Sequence, residues 1–79
     1  SWVLVVDDSA VVREMISLEL RQNGYEVQIA IDGVDAVSVI QTHPPDLVIT
    51  DVVMPRMNGY ELCRWIKSDP RTQDIPVMM

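Results

Sequence analysis

Cysteine, glycine and basic side chains are all scarce in this chain, and each shortage removes a class of explanation. A single cysteine, Cys63, rules out an internal disulfide and fits a reducing, cytoplasmic setting. Six lysines and arginines stand against twelve acids, giving a net charge of −6 and a pI near 4.4. Neither nucleic acid nor an anionic membrane is therefore expected to bind this segment. No uninterrupted apolar run exceeds five residues, too few to cross a bilayer or to serve as a signal peptide. Three glycines, no low-complexity tract and 48% hydrophobic residues describe a globular chain. Its 79 residues suffice for one domain at most, 1–79, with a thin core. The chain opens on Ser1-Trp2 without an initiator methionine and stops at Pro76-Val77-Met78-Met79, inside what reads as a strand, so a piece of something longer is expected.

What the chain does have is two short apolar runs that end abruptly in acid. Trp2-Val3-Leu4-Val5-Val6 runs into Asp7-Asp8, and Leu47-Val48-Ile49-Thr50 runs into Asp51. Near-continuous apolar runs of this length are the mark of parallel strands covered on both faces. Open α/β sheets place ligand sites at the carboxyl ends of such strands. With the two strands as neighbours, three acids converge on one pocket.

Between the runs the periodicity changes. A helix is predicted from Ala10 to about Asn23, with Val11, Met15, Leu18 and Val12, Ile16, Leu20 as two rows forming a broad apolar face, ended by Gly24 in the left-handed region. Glu26–Ile31 alternates as a short strand with Val27, Ile29 and Ile31 on one face. Asp32 is a good N-cap for a second helix with a stripe of Ala36, Val37 and Ile40, which Pro44-Pro45 ends. Asn58 with Glu61 three residues on has the form of a capping box for a third helix, running to about Ser68 with Leu62, Cys63 and Ile66 inward. A fourth strand is predicted over Ile75–Met79. The order β-α-β-α-β-α-β with right-handed crossovers gives a parallel sheet flanked by helices.

The apolar run ending in Asp7-Asp8-Ser9, together with Asp51-Val52-Val53-Met54-Pro55-Arg56-Met57-Asn58-Gly59, resembles the receiver domain of two-component response regulators. Asp32-Gly33 before the second helix and Ile75-Pro76 before the fourth strand extend the resemblance over the whole chain. It implies an α/β, flavodoxin-like three-layer sandwich with parallel strand order 2-1-3-4, a fifth strand lying outside this chain. It implies that Asp51 accepts a phosphoryl group from a histidine kinase or a His-phosphotransfer protein, as a switch for an attached or separate output domain. It further implies that Mg²⁺ is held by Asp8 and Asp51 directly, by Asp7 through water, and by the Val53 backbone carbonyl. Such a module assists its own phosphotransfer and is not a turnover enzyme. The family's Ser or Thr and its Lys at the phosphoryl group would fall beyond Met79. A degenerate receiver serving only as an interaction module is the open alternative, and residues beyond 79 would separate the two.

Elementary electrostatics supports the same layout. Two carboxylates about 4 Å apart repel by about 4 kcal/mol at an effective dielectric of about 20. Three in one pocket call for a cation, and a hard ion taking one or two carboxylates and keeping its waters fits Mg²⁺. The plainer reading of Asp7 and Asp8, as acids at a helix start, accounts for neither Asp51 nor the loop after it. In that loop Met54 and Pro55 shape the chain so that Asp51 stays exposed with Met54 packed beneath, while Asn58 and Gly59 start the next helix. An aspartate-nucleophile hydrolase would need an acid two residues after Asp51, where Val53 stands. His43 is expected at a solvent-facing helix end, Cys63 as a small buried hydrophobe, and Trp65 and Tyr60 as exposed apolar residues. Dimerisation through an exposed edge of the sheet is a further expectation.

Overall fold

Five consecutive apolar residues, Trp2–Val6, form strand β1, and all five are buried. A strand covered on one face alone would show alternation instead. In the computed structural model, which describes residues 2–79, β1 is followed by α1 (Ala10–Gln22), β2 (Glu26–Ala30), α2 (Gly33–Thr42), β3 (Leu47–Thr50), α3 (Gly59–Lys67) and β4 (Val77–Met78). The four strands form one parallel sheet in the order β2-β1-β3-β4, so the strand order reverses between β1 and β3 as expected.

The helix ends are built from the residues the sequence singles out. Ser9 caps α1, its hydroxyl accepting from the Val12 N–H. At the other end Gly24, at φ 89°, closes a Schellman motif in which its N–H reaches the Arg21 carbonyl and the Tyr25 N–H reaches that of Leu20. Asp32 caps α2 through the Asp35 N–H. Asn58 and Glu61 exchange both bonds of a capping box at the start of α3.

The main core lies on one face of the sheet, where Leu4, Val6 and Val48 meet Ala36 and Ile40 of α2 and Leu62 and Ile66 of α3. On the other face α1 departs from expectation. Val11, Val12, Met15 and Leu18 are exposed, and Ser17 is the helix's one buried residue. The helix faces the sheet along Arg13, Ile16, Ser17 and Leu20, which lie on one stripe, whereas the Val11–Met15–Leu18 row is turned outward.

Three smaller differences have similar origins. β2 is an edge strand, so Ile29 and Ile31 stay about half exposed while Ala30, on the opposite face, is buried with Ala36 and Ile40. β4 pairs only at Val77 and Met78, because Ile75 is drawn into the core by a turn in which its N–H reaches the Thr72 carbonyl. Trp65 is half-buried against the core rather than exposed, and Cys63 is half-buried as well. Tyr60 is exposed as expected. His43 is an exposed helix end whose ring stacks on that of Trp2.

Candidate functional site

Register brings the acids together. Val6 pairs with Thr50 across the β1–β3 ladder, and the Asp51 N–H donates to the Val6 carbonyl at 2.9 Å. Asp7 and Asp51 therefore leave adjoining strand tips side by side. A carboxylate oxygen from each of Asp7, Asp8 and Asp51 lies within 4.8 Å of the others. Asp7 is buried and forms the floor, while Asp8 and Asp51 are exposed and open the cluster to water.

The hydrogen bonds leave this cluster under-neutralised. Capping of α1 is done by Ser9, so neither Asp7 nor Asp8 is consumed as an N-cap. Asp7 Oδ1 accepts the Ser9 N–H at 2.9 Å, and Asp51 Oδ1 accepts the Val52 N–H at 2.8 Å. Arg13 places a guanidinium near β1's tip, but its Nη1 donates to the Asp7 backbone carbonyl at 2.7 Å, not to a carboxylate. Lys67 is at the far end of α3, bound to the carbonyls of Gln73 and Ile75. The donor set is thus all hard oxygen, the chemistry that suits Mg²⁺ or Ca²⁺ rather than a softer metal.

The loop after Asp51 is anchored at several points. Met54 is buried with the Thr50 hydroxyl against its sulfur. Gly59 donates its N–H to the Val52 carbonyl at 2.8 Å, and a side chain there would collide with the Asp51 backbone oxygen. Its smallness is what lets α3 begin directly against the acid-bearing strand tip. Between these anchors the Val53 side chain is exposed, and among the described residues no donor engages its carbonyl. Pro55 is exposed at the loop's outer side.

Sequence reasoning missed the other half of this loop's support. Arg56 adopts a positive φ of 67° and donates from Nε to Asp32 Oδ2 at 2.7 Å. That guanidinium, with the Asp35 N–H, holds the Asp32 carboxyl below the usual carboxylate range. Next to it the Gly33 N–H donates to the Met57 carbonyl at 3.2 Å, and a Cβ at Gly33 would meet Met57 at 2.6 Å. Nothing in local sequence announces this, since arginine has no preference for left-handed backbone.

A parallel sheet of order 2-1-3-4 with an acid cluster at its reversal point defines a doubly wound, flavodoxin-like α/β fold with its ligand site at the switch point. The response regulator receiver domain model matches residues 3–79, and the chain belongs to that family, the receiver module of two-component signal transduction. It is 44% identical over 77 residues to the response regulator MprA of Mycobacterium sp. (strain KMS), covering 98% of this chain and 33% of that protein. It is 35% identical over 77 residues to the DNA-binding dual master transcriptional regulator RpaA of Synechocystis sp., covering 98% of this chain and 32% of that one. Among solved structures it superposes on the Vibrio cholerae chemotaxis response regulator CheY4 with TM-score 0.93 and 38% identity, covering 98% of this chain and 64% of the other. The signal receiver domain of a histidine kinase from Syntrophus aciditrophicus gives TM-score 0.93 at 41% identity, covering 95% and 57%. The chain spans about a third of the length of these curated relatives. Receiver domains are phosphoacceptor modules that typically use an aspartate and Mg²⁺.

Proposed function

We propose that Asp51 is the phosphoacceptor of this chain and that Asp7, Asp8, Asp51 and the Val53 carbonyl hold the Mg²⁺ that assists the transfer. The observation that carries the reading is the meeting of three carboxylates within 4.8 Å at adjoining strand tips, with Asp51 exposed. Like charges so close repel by about 3 kcal/mol per pair at an effective dielectric of about 20, less where water screens the exposed pair. A divalent ion relieves that repulsion and, when bound, offsets the charge of the incoming phosphoryl group.

The residues divide the work. Val52 N–H engages Asp51 Oδ1 and orients the carboxylate, while Oδ2 accepts no hydrogen bond among the described residues and is the nucleophilic oxygen. It bonds to phosphorus as the donor's P–N bond breaks and the donor imidazole leaves with that electron pair, giving an acyl phosphate. Buried Asp7 fixes the floor of the site through Ser9. The phosphodonor is a histidine kinase or a His-phosphotransfer protein, and the readout passes to an attached or separate output domain. The chain is a switch of the cytoplasm and not a turnover enzyme.

A small acyl phosphodonor with labelled phosphorus tests the assignment. Wild-type protein takes up hydroxylamine-labile label in the presence of Mg²⁺, and Asp51→Asn takes up none. Equal labelling of the Asn variant would defeat the acceptor assignment.

A further inference from the structure

The loop that presents the Val53 carbonyl contains a turn that its own backbone does not favour. The Met57 N–H donates to the Pro55 carbonyl at 2.8 Å, closing a three-residue turn around Arg56 at φ 67°. A γ-turn of this hand is rare and strained, and residues other than glycine resist it. Such a conformation persists only when surrounding contacts over-determine it. Met57 packs against the core, and the hydrogen bonds that Arg56's side chain and Met57's carbonyl make both come from the start of α2. Asp32 accepts from Arg56 Nε at 2.7 Å, and Gly33 donates to the Met57 carbonyl at 3.2 Å.

The pairing is asymmetric in a telling way. The Asp32 side chain is only 3% exposed, whereas that of Arg56 is 57% exposed. A buried carboxylate needs a partner, so Asp32 holds Arg56 rather than the reverse. The other ion pair among the described residues, Asp69–Arg71, joins neighbours within one turn. Asp32–Arg56 spans 24 residues and ties two separate segments together. Asp32 also caps α2 through its second oxygen, so the helix end and the loop share one anchor.

We infer that Arg56 is a positioning residue for the cation site, its ion pair with Asp32 holding the strained turn at residues 55–57 of the loop that carries the Val53 carbonyl. The inference rests on the cation reading of the acid cluster given above. Arg56 makes no ion pair or hydrogen bond to Asp7, Asp8 or Asp51; its partner is Asp32. It acts by fixing where one oxygen ligand lies, and loss of such support typically weakens metal binding by about 10-fold or more.

Calorimetric titration with Mg²⁺, paired with thermal unfolding, tests this on four variants of the purified protein. Arg56→Ala removes the ion pair while keeping a backbone that resists the left-handed region, so the turn loses its hold. Asp32→Asn keeps an α2 cap but removes the charge that Arg56 pairs with. Both are expected to bind Mg²⁺ about 10-fold more weakly while still unfolding cooperatively. Arg56→Lys, which restores a cation near Asp32, is expected to recover most of the affinity. Asp8→Asn serves as the control for the site itself. Wild-type affinity in Arg56→Ala and Asp32→Asn, with binding lost in Asp8→Asn, overturns the positioning role alone. Absence of Mg²⁺ binding in wild type overturns the cation reading and this inference with it.

Discussion

Asp32 shows at the scale of one residue how burial converts a common helix cap into a structural joint. A cap in water needs only one acceptor oxygen, but a buried carboxylate has a second oxygen to satisfy. Arg56 satisfies it, and its guanidinium holds the acid below the usual carboxylate range. The sign of the consequence is fixed by linkage. A depressed folded-state pKa contributes stability that is present in full above the unfolded value of about 3.9 and is lost as pH falls through the lower folded value. Urea unfolding measured from pH 6 down to pH 2.5 is therefore expected to show a loss of stability below about pH 4 that is smaller in Asp32→Asn. Parallel curves for the two proteins would remove the ion pair from the acid limb. The cap at Asp32 was legible because aspartate before a helical pattern has a local use. Its partner was not, since 24 residues separate the two and neither carries a mark of the other.

At the scale of the element, helices α1 and α3 make opposite use of similar apolar patterns. Leu62 and Ile66 of α3 are fully buried, and both were readable from their i, i+4 spacing. The spacing of Val11, Met15 and Leu18 in α1 reads just as well, yet Val11 is 69% exposed and Leu18 is 56% exposed. Periodicity tells which residues share a stripe, but the helix's rotation over the sheet decides which stripe is covered. Leu62→Ala is accordingly expected to cost about 2–5 kcal/mol, and Leu18→Ala less than about 0.5 kcal/mol. Chemical denaturation of the two variants checks this, and a comparable loss in both would mean that α1 packs through the row found exposed. The same distinction explains β2, where alternation is real but an edge position leaves Ile29 and Ile31 about half in water.

On the scale of the whole molecule, the sheet has two edges of different character. β2 is five residues long and carries polar Glu26 and Gln28, whereas β4 is two residues long, its Met78 and the following Met79 each 56% exposed. Open apolar edges with unpaired backbone groups invite pairing with another chain. The family's fifth strand would cover the β4 edge, so self-association is expected of residues 1–79 in isolation, seen as a concentration-dependent sedimentation coefficient that Met78→Lys reduces. A monomer at all concentrations would show that so short a strand is no template. The acid cluster is at the carboxyl tips of β1 and β3, toward the sheet's interior strands, so association at this edge need not cover Asp51.

The chain's own order of residues determined the element sequence, the helix caps at Asp32 and Asn58, the burial of β1 and the three acids at strand ends. Each of these is a local property, written in runs, spacings and capping residues that act over a few positions. Only the folded molecule decided that Asp7 and Asp51 stand side by side, because that follows from the Val6–Thr50 register across more than forty residues. It alone decided which stripe of α1 meets the sheet and that Arg56 is bent into a left-handed turn against Asp32. Those depend on contacts between segments remote in sequence, whose energies no short window of residues contains.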